Sequence, residues 1–271
     1  MNRTKLLFVF LKILLTKPGI ILKSLFHTVT NQSKQDYVIN KYGLSNGLPV
    51  VDLLELFPNF NAEIFSYTFL NGTSTTIDIA ILKTIASSFK DCSYLEIGSW
   101  RGESLVNIAD VAKECVSISL SDKEMQQMKI PEKIINMQCM FSKEKKNIEY
   151  IEHNSTTFDF SSLIKKFDLI FVDGDHAYEA VKSDTTNVFK LLKDENSIIV
   201  WHDYGASFET VCWSVLAGIL DGAPEKRENI YHISNSLCAI YTTKKIKTGK
   251  LEYPTVPNKK FRVNIFAEKK L

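Results

Sequence analysis

No two of the five cysteines (Cys92, Cys115, Cys139, Cys212, Cys238) stand at a C-x-x-C spacing, so the 271-residue chain has neither a disulfide framework nor a zinc-ribbon ligand set. An odd, dispersed set of thiols fits a reduced interior and, with it, a cytoplasmic setting. No apolar run approaches the roughly 20 residues that a bilayer-crossing helix needs. Charge of one sign is missing too. The 33 basic and 31 acidic side chains leave a net charge of +2, which excludes a general electrostatic attraction to nucleic acid. There is no G-x-G-x-x-G, no internal repeat and no low-complexity tract. What is present is a hydrophobic fraction of 45%, ample for a core, in a length that suits one large α/β domain with extensions.

The first acid in the chain is Asp36. Before it stand Arg3, Lys5, Lys12, Lys17, Lys23 and Lys34, with two apolar runs, 6–15 and 20–26, each broken by a lysine. The broken runs and the lack of an Ala-x-Ala site argue against a secretory signal. Residues 1–35 read as a basic amphipathic segment. It either lies on an anionic membrane surface, at the inner face of the membrane, or packs on the main domain or on a second copy in a homodimer. Residues 36–76 read as linker and helical lid region, with the polar stretch 30–46 as linker. The polar loop 71–76 overlies a ligand or forms a plain turn. Thr76 caps the next helix, Asp78 falls in its first turn, and Ile77, Ile81, Ile85 and Phe89 share a face.

The chain is organised around Tyr94-Leu-Glu-Ile-Gly-Ser-Trp-Arg-Gly-Glu-Ser104. Residues 94–97 form a short buried strand, 98–102 a tight glycine loop, and a helix opens at Glu103. Such a strand, loop and helix make a nucleotide-cofactor cradle, with glycines for close backbone approach and free N–H groups at the helix start. Further strands follow at 115–120, 167–173, 197–201, 230–233 and 237–242, and one more at either 133–139 or 148–152. Helices fall at 178–193 and 211–220. The alternation predicts a Rossmann-like, doubly wound α/β fold: a mostly parallel seven-stranded sheet with an antiparallel last strand, plus an N-terminal helical extension. The main domain spans 77–243, and 244–271 is a basic C-terminal tail. Ligands in such folds bind at the carboxyl ends of the strands.

Two strand ends concentrate polar groups at that edge: Asp173-Gly-Asp-His-Ala-Tyr178 and His202-Asp-Tyr204. Buried strands ending in acids carry a desolvation cost unless something positive sits there, and a divalent cation held by Asp173, His202 and Asp203 is the simplest occupant. The bland alternative is helix capping by Asp173 or Asp175. His176, on the same rim, is either a general base or a helix-start hydrogen bond. Asp122, after the second strand, either holds a ribose or lies in a surface turn.

These segments resemble a known family. Leu-Glu96-Ile-Gly98-Ser-Trp-Arg-Gly102 resembles the first motif of class I S-adenosylmethionine-dependent methyltransferases. Val-Asp173-Gly-Asp-His-Ala-Tyr178 and Ile-Ile-Val-Trp-His202-Asp203-Tyr-Gly205 resemble the metal-site segments of the macrocin O-methyltransferase type, relatives of catechol and caffeoyl-CoA methyltransferases. The resemblance runs over roughly 77–243. It implies S-adenosyl-L-methionine as cofactor, lined by Glu96, Gly98 and Gly102; Ser99, Asp122 and Asp173 join them as cofactor-side candidates from their places at the same edge. It implies a divalent metal, magnesium or manganese, on Asp173, His202 and Asp203, with Asp173 and His176 as the catalytic groups. The acceptor is then a hydroxyl of a small molecule or sugar, and the basic start points to a lipid-linked or surface-polysaccharide sugar. Two departures stand out: the family carries a carboxylate where His202 stands, and an acid near Ser119 and Ser121. No Asn-Pro-Pro-Tyr segment suggests a nucleic-acid methyltransferase. The rival readings are a non-catalytic methyltransferase-like assembly protein and a nicotinamide-dependent oxidoreductase.

Overall fold

Residues 3–269 are described by a computed structural model; residues 1, 2, 270 and 271, the outermost parts of the predicted N-terminal segment and C-terminal tail, lie outside the described residues. In chain order the elements are helices α1 (Arg3–Thr16) and α2 (Pro18–Tyr42), strand β1 (Val50–Val51), helices α3 (Leu53–Leu56) and α4 (Thr76–Ser88), strand β2 (Ser93–Ile97), helix α5 (Glu103–Ala109), strand β3 (Glu114–Ser119), and helices α6 (Asp122–Gln127) and α7 (Glu132–Ile135). Then come β4 (Ile148–Glu152), β5 (Leu169–Val172), α8 (Tyr178–Val188), β6 (Ile198–Trp201), the short hairpin β7 (Gly205–Ser207) and β8 (Thr210–Val211), α9 (Trp213–Gly222), β9 (Ile230–Ile233), β10 (Ala239–Tyr241) and β11 (Thr248–Gly249).

The central sheet has nine strands in the order β11-β1-β9-β10-β6-β5-β2-β3-β4. Strands β4, β3, β2, β5 and β6 are parallel, and β10 runs antiparallel to β6. All residues of β2, β5 and β6 are buried, because helices cover both faces: α2, α8 and α9 pack on one side, α4 and α5 on the other. The seven expected strands are therefore present, extended beyond β9 by the two-residue pieces β1 and β11, which the sequence did not announce.

The strand order reverses between β2 and β5, which opens a crevice at the carboxyl edge. Register decides what faces it. Ile97 pairs with Val172, and Val172 with Trp201, so Gly98, Asp173 and His202 leave their strands side by side. The Asp173 amide donates to the Ile97 carbonyl at 2.8 Å, and the His202 amide to the Val172 carbonyl at 3.0 Å, which carries the ladder to the last residue.

Several expectations give way here. Residues 30–42 are not linker but the second half of α2, which crosses position 35 unbroken. Val38 is fully buried, and Asp221 on α9 accepts hydrogen bonds from the Tyr37 hydroxyl (2.6 Å), the Tyr42 hydroxyl, the Tyr178 hydroxyl of α8 and the Lys41 ammonium (2.8 Å). That tertiary anchor overrides a polar local sequence. Residues 133–139 form α7 and turns, which leaves 148–152 as the strand. Thr75, not Thr76, caps α4, in a reciprocal capping box with Asp78. The second predicted helix starts at Trp213 rather than 211, because Val211 is spent on β8. The tail from 244 is not free of the sheet: β11 pairs with β1, and Lys259 bonds Asp52 at 2.7 Å. Along helix α1, Leu6, Phe8, Val9, Phe10, Leu11, Leu14 and Leu15 are all exposed, while Lys5, Lys12 and Thr16 recur on one stripe.

Because Asp221 is the shared acceptor of two helices, Asp221→Ala should lower stability by about 2 kcal/mol. Calorimetry should then show a fall in Tm of roughly 4–8 °C, with new protease cutting between α2 and β1.

Candidate active site

The glycine loop leaves β2 through Gly98 (φ +90°) and enters α5 through Gly102 (φ +84°), both in the left-handed region. A Cβ at Gly98 would stand 2.2 Å from the Asp173 carbonyl oxygen, so only glycine lets the loop pass this close to β5. The loop's carbonyls are used from below: Trp100 accepts from the Cys139 amide (2.7 Å) and Arg101 from the Phe141 amide (3.0 Å). Among the described residues the amides of 99–102 donate to no backbone carbonyl, and they form a cluster of donors at the carboxyl edge.

Glu96 lies beneath this loop. It is fully buried, and its carboxylate accepts from the hydroxyls of Tyr94 (2.6 Å), Ser99 (2.6 Å) and Ser104 (2.9 Å). Burial pushes its pKa up to about 7 against those hydrogen bonds. Glu96 thus ties the strand, the loop and the helix start together from inside. Asp122 is the first residue of α6 and is exposed; the cap of that helix is Ser121, paired with Glu124. Between them and the glycine loop lies the 137–142 turn, whose Gln138 side chain donates to the Leu120 carbonyl at 2.8 Å.

The second half of the site is built from β5, β6 and the start of α4. Asp173 follows β5, and Ser74 donates to its Oδ2 at 3.0 Å. His202 follows β6 and is 8% exposed. Its Nε2 lies 3.2 Å from Asp78 Oδ2, and its Nδ1 lies 3.1 Å from both Asp173 Oδ1 and Asp203 Oδ2. Neither of the last two oxygens lies in the hydrogen-bonding direction of the ring, so Nδ1 has no hydrogen-bond partner among the described residues. Asp203 adopts a left-handed backbone (φ +52°), which an aspartate tolerates and which turns its carboxylate back toward both histidines. His176 Nε2 stands 3.0 Å from Asp203 Oδ2, with its side chain 55% exposed. Asp175 is spent locally, accepting from the Ala177 amide at 3.0 Å, which leaves Asp173 to the cluster.

The charges follow from these contacts. Burial pulls the His202 imidazole down, but the carboxylates of Asp173, Asp203 and Asp78 outweigh it and hold the ring protonated well above its ordinary value in the absence of a competing cation. Burial would raise Asp203; the neighbouring His176 and His202 imidazoles instead carry it far below the usual carboxylate range. The hydrogen bond from Asp203 raises His176.

Two participants escaped the sequence reading. Asp78 is completely buried and accepts from Thr75, from the Leu237 amide (3.0 Å) and from His202. The Thr75-x-x-Asp78 spacing signals a helix cap and nothing more. The contact of Ser74 with Asp173 is the other, within the loop 71–76, expected to overlie a ligand or form a plain turn. The Leu70 and Asn71 carbonyls accept from Arg101, Thr68 bonds Glu103, and the Phe65 amide donates to Asn107, so this segment lies against the loop and α5.

The corner fits a divalent ion. The ligating atoms of Asp173, His176 and Asp203 all lie within 4.8 Å of one another, and the unpartnered Nδ1 of His202 faces the same acids. Adjacent ligands around an octahedral ion stand about 3.0 Å apart, close to the 3.1 Å separating Nδ1 from each carboxylate oxygen.

A family model described as a methyltransferase domain matches residues 95–204. Among solved structures, cofactor-bound Rv0187 from MTB is similar at 16% identity and a TM-score of 0.46, over 64% of this chain and 82% of that one. TomG, an O-methyltransferase from Streptomyces achromogenes involved in tomaymycin synthesis and solved with SAM, gives 12% identity and a TM-score of 0.43 over 64% and 82%. CalS11, a TDP-rhamnose 3'-O-methyltransferase of calicheamicin biosynthesis, gives 11% identity and a TM-score of 0.44 over 62% and 79%. No curated protein matches the chain. The matched segment contains the glycine loop, Asp173, His176, His202 and Asp203, so the part of the chain that is similar to a methyltransferase domain is the part that carries the candidate site.

Proposed function

We propose that the chain is an O-methyltransferase of the metal-assisted, macrocin-like type, acting on a hydroxyl of a small molecule or sugar. The observation that carries this reading is the juxtaposition, by strand register, of the glycine loop with the Asp173, His202 and Asp203 corner. The free amides of 99–102 suit the carboxylate of the donor's methionine part, with Ser99, Gly98 and Gly102 shaping the approach and Glu96 holding the loop from below. Asp122, at the exposed start of α6, is the candidate for the donor's ribose.

S-adenosylmethionine would supply a methyl group on a sulfonium sulfur, and a divalent ion, which Asp173, His202 and Asp203 would hold, would supply Lewis acidity toward the acceptor hydroxyl. The chain's own part is positioning and proton removal. Asp203 holds His176 through Nε2, which fixes the tautomer and leaves Nδ1 to take the acceptor's proton as the oxygen–carbon bond forms and the carbon–sulfur bond breaks. The half-exposed ring of His176 is within reach of an acceptor arriving from solvent, whereas His202 is not.

Helix α1 favours a membrane-borne acceptor. A helix that leaves Leu6, Phe8, Val9, Phe10, Leu11, Leu14 and Leu15 uncovered needs an apolar environment for them. Its 14 residues span about 21 Å, short of the roughly 30 Å hydrocarbon core. Lys5, Lys12 and Lys17 flank the apolar side chains, and no acid precedes Asp36, which suits an anionic leaflet. On this reading residues 1–35 seat the enzyme at a bilayer where a lipid-linked sugar is offered, and 77–243 carry the chemistry.

Titration calorimetry with S-adenosylhomocysteine should register binding, and NAD should give none; heat from NAD alone would overturn the reading. Gly98→Ala should weaken that binding at least ~10-fold, since the added methyl displaces the loop. Removing residues 1–16 should release the protein from phosphatidylglycerol-containing vesicles with unchanged S-adenosylhomocysteine affinity; continued vesicle binding would refute the membrane role. Asp203 stabilises the imidazolium of His176, so the sign is fixed: in histidine-labelled protein, NMR titration should place His176 above its ordinary value and Asp203→Asn should lower it.

A further inference from the structure

We infer that His202 Nδ1 is a metal ligand held ready by Asp78, and that the corner therefore selects a first-row transition-metal dication over magnesium. The inference rests on the metal-assisted reading above and sharpens it. Three features of the geometry carry it.

The first is the orphan nitrogen. Nδ1 of His202 is buried, lies 3.1 Å from one oxygen of each of two carboxylates, and hydrogen-bonds neither. An imidazole nitrogen directed past two flanking oxygens is arranged as a neighbouring ligand of one ion would be, rather than as a donor to either acid. The second is the other face of the ring. Nε2 meets Asp78 at 3.2 Å, and Asp78 is fully buried and fixed by Thr75 at the start of α4 and by the Leu237 amide. A carboxylate on one ring nitrogen places the proton there and leaves the lone pair on the other, which is the arrangement that orients metal-ligating histidines. Asp78 is thus a positioning residue that acts through His202. The third is the donor set. Two carboxylates alone suit a hard cation, whereas adding an imidazole nitrogen shifts preference toward manganese, iron, cobalt or zinc, and magnesium accepts nitrogen poorly.

The test is pulsed EPR of the full-length protein loaded with Mn(II), read for nitrogen coupling at the ion, alongside competition between Mn(II) and Mg(II) by calorimetry. Wild-type protein should show a directly coordinated nitrogen and prefer manganese, and the coupling should persist in His176→Ala. Asp78→Asn should weaken Mn(II) binding about 10- to 100-fold. Because that variant also loses part of the α4 cap, its fold is checked by circular dichroism and S-adenosylhomocysteine binding; the wild-type spectrum tests the ligand assignment without it. Manganese bound with no nitrogen coupling, or coupling that disappears in His176→Ala, would overturn the inference and leave metal assistance standing. Failure of both ions to bind at millimolar concentration would overturn the metal-assisted reading itself.

Discussion

The His202 imidazole lies between three carboxylates, and most of the site's architecture exists to keep it there. A ring of this kind, 8% exposed and within 3.2 Å of Asp78, Asp173 and Asp203, is an arrangement no one element could hold. Asp173 comes from the end of β5, His202 and Asp203 from the end of β6, and Asp78 from the first turn of α4. Removing the imidazole would leave three acids in a poorly hydrated corner, which is strongly unfavourable. The positive charge, whether on the ring or on an ion beside it, is what permits these strands to end in acids at all.

The same corner joins the two halves of the active site. Asp173 presses its carbonyl against Gly98, while its carboxylate takes a hydrogen bond from Ser74, in the segment that lies over the glycine loop. A shift of β5 or of the 65–75 segment would therefore be felt both at the glycine loop and at the acid cluster. Behind them, Glu96 under the loop and Asp221 at the meeting of α2, α8 and α9 are buried or half-buried carboxylates saturated by hydroxyl donors. Each clamps a functional segment to the scaffold.

Much of this was legible in the residues, and the limits have physical causes. Continuous apolar runs such as 169–172 and 198–201 read as buried parallel strands, because helices cover both faces of such a sheet. Acids and imidazoles at the ends of such runs stand out for the same reason, so Asp173, His176, His202 and Asp203 were nameable before their distances were known. What escaped depends on partners far away in sequence. Helix α2 looks like linker until Asp221, 184 positions after Tyr37, supplies its anchor. Asp78 looks like a cap residue, and is one, but its contact with His202 spans 124 positions. Residues 133–139 misled in the opposite sense: a few alternating apolar residues after Pro131 suited a strand, yet they fold as one helical turn and tight turns beside the glycine loop. Strands of two residues, β1 and β11, carry too little pattern to be read locally.

The account's central claim is that a methyl donor and a cation share one edge of the sheet, meeting at Asp173. A crystal of the full chain soaked with S-adenosylhomocysteine and manganese, with diffraction collected at the manganese edge, addresses it most directly. The predicted result is the demethylated donor against the 98–102 loop and an anomalous peak bonded by Asp173, His202 and Asp203. Demethylated donor in place with no anomalous peak beside His202, or a peak elsewhere on the molecule, would contradict it.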